Sequence, residues 1–109
     1  MRSFSGLLII ILSANFAFAQ TAYHKMGQKA LIDGDFKAAV SNLEKALAKD
    51  SNDVNTLYML GYSYYHSARY KESVNTFNKV ISLKPSDNSA YYYRGKASSI
   101  MANDTKGIA

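Results

Sequence analysis

Apolar residues recur along most of the chain with the spacing of amphipathic helices. In the middle of the sequence, one apolar face occupies positions i, i+3, i+4 and i+7, which are Leu57, Leu60, Gly61 and Tyr64. A short polar segment, residues 67–69, separates this helix from a second apolar face that begins at Tyr70. Pro85 predicts the end of the second helix, because proline lacks the N–H group that continues the hydrogen-bond ladder.

The preceding part of the chain has the same pattern of two helices. The spacing predicts helices over residues 21–32 and 36–49, joined by a turn at Asp33, Gly34 and Asp35. Short polar residues at 51–53 and 86–88 offer side-chain oxygens that can cap the helices that follow them. The pattern therefore predicts an all-α fold of consecutive helix-turn-helix units.

The units repeat at a fixed interval along the chain. Gly27, Gly61 and Gly95 are evenly spaced, and apolar residues on either side of them recur with the same 34-residue period. Glycine inside a helix costs about 1 kcal/mol relative to alanine, so its return indicates an offsetting contact. Ala39 and Ser73 supply small surfaces on the second helices, and we expect each glycine to let its helix approach that partner closely.

Residues at fixed offsets in this period resemble the tetratricopeptide repeat family, whose 34-residue unit is a helix-turn-helix. The second unit carries the motif most fully, at Leu57, Leu60, Gly61, Tyr64, Ser73, Phe77 and Pro85. The first unit carries Tyr23, Met26, Gly27, Ala30, Ala39 and Leu43. The resemblance implies an α-solenoid with repeat 1 at 20–53, repeat 2 at 54–87 and a partial repeat 3 at 88–109.

The third repeat is truncated, since it extends only from Asn88 to Ala109. Its second helix is expected to begin near Asp104, after a turn at Asn103. Asn103 is also the first residue of an N-glycosylation sequon. Because each repeat buries its apolar face on a neighbour, the face around Ile100 and Met101 is expected to be partly open. A fragment, a dimer through this face and a marginally stable monomer all fit the pattern.

The first nineteen residues have the features of a secretory signal peptide. Arg2 precedes an apolar centre at residues 7–12, and Ala17, Phe18 and Ala19 form a small-x-small cleavage site. We expect cleavage between Ala19 and Gln20 and a periplasmic or secreted product. An uncleaved anchor is the alternative, but the segment 6–19 is shorter than the roughly 20 apolar residues of a membrane span. No membrane span is expected in the mature chain, residues 20–109.

The composition of the chain excludes several classes of function. The chain has a net charge of +5, but its lysines are scattered singly, which argues against a nucleic-acid track. The absence of cysteine excludes disulfides, zinc fingers and a cysteine nucleophile. His24 and His66 lie outside any metal-ligand spacing, and the residues 33–35 lack the remainder of a calcium loop. The sequence therefore predicts no enzyme activity, no metal and no cofactor.

The resemblance implies a concave groove, lined by the first helix of each repeat, that binds an extended peptide or a helix. Tyrosine is typical of binding hot spots, since it offers a large contact area at low entropic cost. Tyr64, Tyr70 and Tyr91 fall at core positions of the family instead. The carboxylate-binding residues of one family branch have no match here. The predicted groove residues are Tyr58, Tyr62, Tyr65, Tyr92, Lys96, Gln28 and His24.

These patterns favour a non-enzymatic protein-interaction module whose partner is a protein or peptide. Two alternatives remain open at this point. The truncated third repeat would suit a structural, self-associating subunit of an envelope complex, with a homodimer as its simplest form. An exported repeat would also suit the sensory region of a longer signalling protein.

Overall fold

The computed structural model describes residues 18–108, with side chains through residue 104. This part of the chain contains helices and turns and no strand, as the sequence predicts. Residues 1–17, which hold most of the predicted signal peptide, lie outside the described residues. The helices are α1 (18–32), α2 (Phe36–Leu47), α3 (Val54–His66), α4 (Tyr70–Leu83) and α5 (Asn88–Ile108).

The helix boundaries follow from local side-chain chemistry. Aspartate carboxylates accept hydrogen bonds from backbone N–H groups at the starts of α2, α3 and α5, with Asp35 bonding Ala38 at 3.0 Å and Asp87 bonding Ala90 at 3.0 Å. The two α-hairpin turns each use a left-handed residue at the same place in the repeat, Gly34 with φ 76° and Ala68 with φ 59°. The 34-residue period therefore extends to the backbone conformation of the turns.

The core consists of two adjacent apolar clusters that meet on α3. The first joins α1, α2 and α3 through Ala30, Ala39, Val40, Leu43, Leu60 and Tyr64. The second joins α3, α4 and α5 through Leu57, Phe77, Val80 and Ala90. Leu47, at the end of α2, packs against both clusters. The helices thus form a layered stack in which each helix contacts its neighbours in sequence.

Two of the three repeated glycines show the predicted close approach. A methyl group on Gly27 would lie 2.5 Å from Leu43 Cδ2, and one on Gly61 would lie 2.9 Å from Phe77 Cζ. Ser73 adds a buried hydrogen bond from its Oγ to the Gly61 carbonyl oxygen, at 2.9 Å. Gly95 has no such neighbour within 4 Å among the described residues.

Helix α5 differs from the prediction for the third repeat. It runs without interruption from Asn88 to Ile108, so the predicted turn at Asn103 and the second helix from Asp104 are both wrong. Asn103 and Asp104 are exposed on the helix, where their polar side chains stay in solvent and destabilise the helix little. A turn there would break the hydrogen bonds of α5, and a helix of about one turn would bury too little apolar surface to offset that loss.

One side of α5 is consequently open in the described part of the chain. The resemblance places Tyr91 at a core position of the family, but its exposed fraction is 41%. Leu57 is covered by α4, and no described helix occupies the equivalent place beside Tyr91. Met101 on α5 is also 37% exposed. By contrast, the core prediction is confirmed for Tyr64, which is 7% exposed.

Candidate binding surface on the groove face

The first helices of the repeats, α1, α3 and α5, form one continuous face, which we call the groove face. Five tyrosines meet on it between α3 and α5. They are Tyr58, Tyr62, Tyr65, Tyr92 and Tyr93, and we call them the tyrosine cluster. The three on α3 share a face because they stand at i, i+4 and i+7. Four of the five are half-buried and Tyr92 is 58% exposed, so the cluster presents rings to solvent.

Tyr93 lies at the centre of the tyrosine cluster. Its ring centroid is 5.2 Å from that of Tyr92, 5.3 Å from Tyr62, 5.5 Å from Tyr65 and 6.5 Å from Tyr58, always edge to face. This geometry brings the positive edge of one ring to the negative face of the next. These contacts fix the positions of the rings relative to one another.

Tyr93 is not among the groove residues predicted from the sequence. The tyrosine stacks on the buried Phe77 with centroids 5.8 Å apart, and Tyr58 meets the same phenyl ring at 5.6 Å. Tyr93 therefore anchors the exposed rings to the core. Tyr93 lies one full repeat after Met59, which packs against the first core cluster, so the same position of the repeat contacts the core in both repeats.

A histidine extends the aromatic surface towards α2. The His66 ring stacks on Phe36 at 4.8 Å and lies 4.3 Å from Tyr62 and 5.2 Å from Tyr65. Burial among these rings lowers the pKa of His66, and the charge of Lys96 lowers it further. The neutral imidazole is therefore favoured, and the ring acts as one more aromatic surface at neutral pH.

Lys96 is the cation of the tyrosine cluster. Its Nζ lies 5.2 Å from the ring centroid of Tyr92 and 5.8 Å from that of Tyr65, within cation–π range. A hydrogen bond with Tyr92 raises the pKa of Lys96, and the Coulomb interaction with Tyr65 adds to the increase. The ammonium group is thus held at the edge of the rings while remaining exposed.

A polar cavity of about 500 Å³ continues the groove face towards the other end of the first helices. It contains the two remaining predicted residues, His24 and Gln28, and His24 Nδ1 lies 2.8 Å from Thr56 Oγ1 on α3. Tyr58 lines the cavity as well as belonging to the tyrosine cluster. The structure therefore brings the predicted residues to one surface with an aromatic half and a polar half.

Two further residues of the cavity come from the α4–α5 loop. Lys84 and Asp87 line it beside Ser89 at the start of α5. The predicted groove residues all lie on first helices, and nothing in the repeat pattern indicates that this loop reaches the groove face. Asp87 Oδ1 accepts the capping hydrogen bond of α5, so the helix start and the cavity wall share one side chain.

The chemistry of this surface suits binding. Tyrosine rings offer apolar contact, their hydroxyl groups orient a polar backbone, and Lys96 adds one positive charge. Among residues 18–104 there is no group of three or more histidine, aspartate or glutamate side chains arranged to hold a metal ion. No described helix has both the length and the apolar content of a membrane span.

Known proteins share the sequence pattern and the fold of this chain. The sequence profile of the tetratricopeptide repeat matches residues 30–97, which is more than half of the chain. Superkiller protein 3 of Saccharomyces cerevisiae is 37% identical over 51 residues, covering 47% of this chain and 4% of that protein. The crystal structure of MamA protein is similar with a TM-score of 0.71 and 30% sequence identity, covering 76% of this chain and 45% of the MamA chain.

The matches agree with the architecture described above. This chain spans less than half the length of either of these two proteins, so the likeness concerns the repeats and not the whole of those molecules. The matched segment begins in the last turn of α1 and ends in α5, and it includes both α-hairpin turns. The 34-residue period, the glycine contacts and these matches together establish that the chain belongs to the tetratricopeptide repeat family.

Proposed function

We propose that this protein is a non-enzymatic interaction module that binds an extended or helical segment of a partner protein on its groove face. Tetratricopeptide repeats generally mediate protein–protein interaction, and that general role is the starting point. The observation that carries the finer proposal is the tyrosine cluster, in which five ordered rings remain partly exposed on one face. Ordered aromatic side chains lose little conformational entropy when a partner binds.

The size of the surface sets the expected strength of binding. The groove face is built from three first helices, and its cavity of about 500 Å³ fits a few side chains of a peptide. A surface this small supports micromolar or weaker affinity, which corresponds to about 8 kcal/mol or less of binding free energy. Tighter binding would need several such modules or a longer array of repeats.

Two neighbouring tyrosines on α5 provide a matched test. Tyr92 belongs to the tyrosine cluster, whereas Tyr91 is exposed on another side of the helix, where the Arg94 guanidinium lies 5.1 Å from its ring centroid. The mature chain, residues 20–109, would be used to capture partners from the exported protein fraction. Tyr92→Ala and Tyr62→Ala are expected to lose a captured partner, and Tyr91→Ala is expected to retain it.

The affinities for the captured partner should then be measured with purified components. We expect each groove substitution to weaken binding by about tenfold, the effect of losing a hot-spot side chain of more than 1 kcal/mol. Circular dichroism must show unchanged helicity in all variants. Equal affinity of Tyr91→Ala, Tyr92→Ala and Tyr62→Ala would refute the groove face as the binding surface.

We propose further that the module acts outside the cytoplasm. The support is the signal-peptide pattern of residues 1–19 with its small-x-small site at Ala17, Phe18 and Ala19. Mass spectrometry of the protein from its natural source tests this proposal. An N-terminus at Gln20 would support export, and an intact Met1 on protein found in the cytosolic fraction would contradict it.

Self-association through the third repeat is the second candidate function. The observation in its favour is the open side of α5. A side chain of the neighbouring helix fills the space beside Gly27 and beside Gly61, but no described side chain fills the space beside Gly95. A helix of a second copy could place an apolar side chain there. Sedimentation equilibrium over a wide concentration range tests this, with Gly95→Leu as the variant that fills the gap. A monomer at all concentrations would exclude the candidate.

A further inference from the structure

We propose that the segment bound on the groove face is acidic, and that Lys96 receives one of its carboxylate groups beside the tyrosine rings. This inference rests on the proposed function and specifies the chemistry of the partner. Three observations support it: the positions of the carboxylate groups, the contacts of Lys96 with two tyrosine rings, and the occupation of those rings by a cation of the chain itself.

The acidic side chains of the protein are engaged almost entirely away from the tyrosine cluster. Three of them cap helices: Asp35, Asp53 and Asp87. Four more bond to other groups: Asp33 to Lys29, Glu44 to the Tyr64 hydroxyl, Asp50 to the Asn52 N–H group and Glu72 to Arg69. Asp104 is exposed in the last turns of α5.

The tyrosine cluster therefore lacks a carboxylate that balances Lys96 among the described residues. No described carboxylate contacts the Lys96 ammonium group, whose neighbours are the rings of Tyr65 and Tyr92. In the adjoining cavity, both Lys84 and Asp87 contribute to the lining, and the Asp87 carboxylate accepts the α5 capping bond. The local charge at the tyrosine cluster is therefore that of the Lys96 ammonium group, which favours an anionic group of a partner at this place.

Lys96 is also arranged to receive an anion. Contact with the Tyr92 and Tyr65 rings restricts a side chain that is otherwise among the most mobile, so less rotamer freedom is lost on binding. The exposed ammonium group retains donors that can point towards solvent. A carboxylate that approached it would form a charge-assisted hydrogen bond, which is stronger than a bond between neutral groups.

A basic segment is the competing possibility, because aromatic rings also attract cations. Here the rings of Tyr65 and Tyr92 already interact with the cation of the chain itself. A lysine or arginine of a partner would have to displace Lys96 or lie beside a like charge, and both are unfavourable. The electrostatics of the face thus distinguish the two kinds of partner.

The test uses three fluorescein-labelled peptides of identical length and aromatic content, in which every third position is glutamate, glutamine or lysine. Binding to the mature chain is measured by fluorescence anisotropy at low salt and at about 1 M salt, where the screening length falls to about 3 Å. We expect the glutamate peptide to bind on the order of tenfold more tightly than the lysine peptide at low salt, and we expect this preference to disappear at high salt.

Two lysine variants test whether the preference for the glutamate peptide depends on Lys96. Lys96→Gln is expected to weaken binding of the glutamate peptide by roughly tenfold, as the loss of one charge-assisted hydrogen bond predicts. Lys71→Gln changes the net charge equally but removes an exposed lysine on α4, outside the groove face, and is expected to have little effect. Equal losses from both substitutions would show a general charge effect and overturn the role of Lys96.

The Tyr92→Ala variant distinguishes a failure of this inference from a failure of the proposed function. If all three peptides bind equally and Tyr92→Ala weakens all of them, the groove binds peptides but has no acidic preference. If the lysine peptide binds best, the rings act as a cation site and the inference is wrong. If none of the peptides binds, or binding is insensitive to Tyr92→Ala, the inference falls together with the groove.

Discussion

At the scale of single residues, the repeated glycines occupy unequal surroundings, and this gives opposite predictions for one substitution. At Gly61 a methyl group would lie 2.9 Å from the ring of Phe77, which is fully buried and cannot move aside freely. At Gly95 there is open space. Gly61→Ala is expected to lower the free energy of unfolding by about 1–2 kcal/mol, because overpacking outweighs the gain in helix propensity. Gly95→Ala is expected to raise it by about 1 kcal/mol.

Urea denaturation followed by circular dichroism measures both variants under the same conditions. The pair serves as its own control, since the two substitutions are chemically identical and lie at the same place in the 34-residue period. A stabilised Gly61→Ala variant would mean that Phe77 can shift without cost. A strongly destabilised Gly95→Ala variant would mean that another part of the chain, or a second copy, packs against α5 in solution.

His66 gives a prediction about pH at the same scale. Its pKa in the folded chain lies below the ordinary value of 6.5, chiefly because of burial, so the unfolded chain takes up a proton first as the pH falls. The unfolding free energy therefore contains a contribution that is fully present above about pH 6.5 and decreases below it. His66→Phe keeps a ring on Phe36 but does not titrate.

Urea denaturation at about pH 7.5 and about pH 5 checks this expectation, since carboxylates remain largely ionised over that range. The wild-type protein should lose more stability between the two pH values than the His66→Phe variant. The contribution is modest, because the His66 side chain is exposed in part. Equal losses in the two proteins would contradict a lowered pKa at His66.

At the scale of helices, the sequence predicted those elements whose ends are decided locally. The α-hairpin turns, the aspartate caps and the end of α4 before Pro85 all depend on residues within one helical turn of the boundary. The C-terminal end of α5 was predicted wrongly because Asn103 and Asp104 suit both a helix cap and an exposed helix interior. Whether these residues end the helix or continue it depends on whether a following helix can pack against the stack.

The same distinction applies to the residues of the groove face. Tyr58, Tyr62 and Tyr65 were predicted together because the resemblance to the tetratricopeptide repeat places all three at groove-facing positions of one helix. Tyr93 was missed because its place at the centre of the cluster depends on the distance between α3 and α5 and on its stacking with Phe77. Lys84 and Asp87 were missed because a loop, which has no period, brings them to the cavity.

At the scale of the whole molecule, the core has two parts that are joined mainly through α3. The first core cluster contains no residue of α4 or α5, and the second contains none of α1 or α2 among its buried members. In a stack of repeats, stability is approximately a sum of terms for each repeat and for each interface between neighbours. Local damage to α5 should therefore spread to α4 before it reaches α1 and α2.

Two adjacent positions on α5 test this coupling. Ala97 is completely buried and Ser98 is exposed, so Ala97→Asp places a charge inside the stack whereas Ser98→Asp places the same charge in solvent. Native-state hydrogen exchange is expected to show more than about tenfold loss of protection in α5 and α4 of the Ala97→Asp variant, with α1 and α2 little changed. Ser98→Asp should resemble the wild type. Equal loss of protection in all helices of Ala97→Asp would show instead that the stack unfolds as one cooperative unit, and that the groove face cannot lose α5 without losing the whole fold.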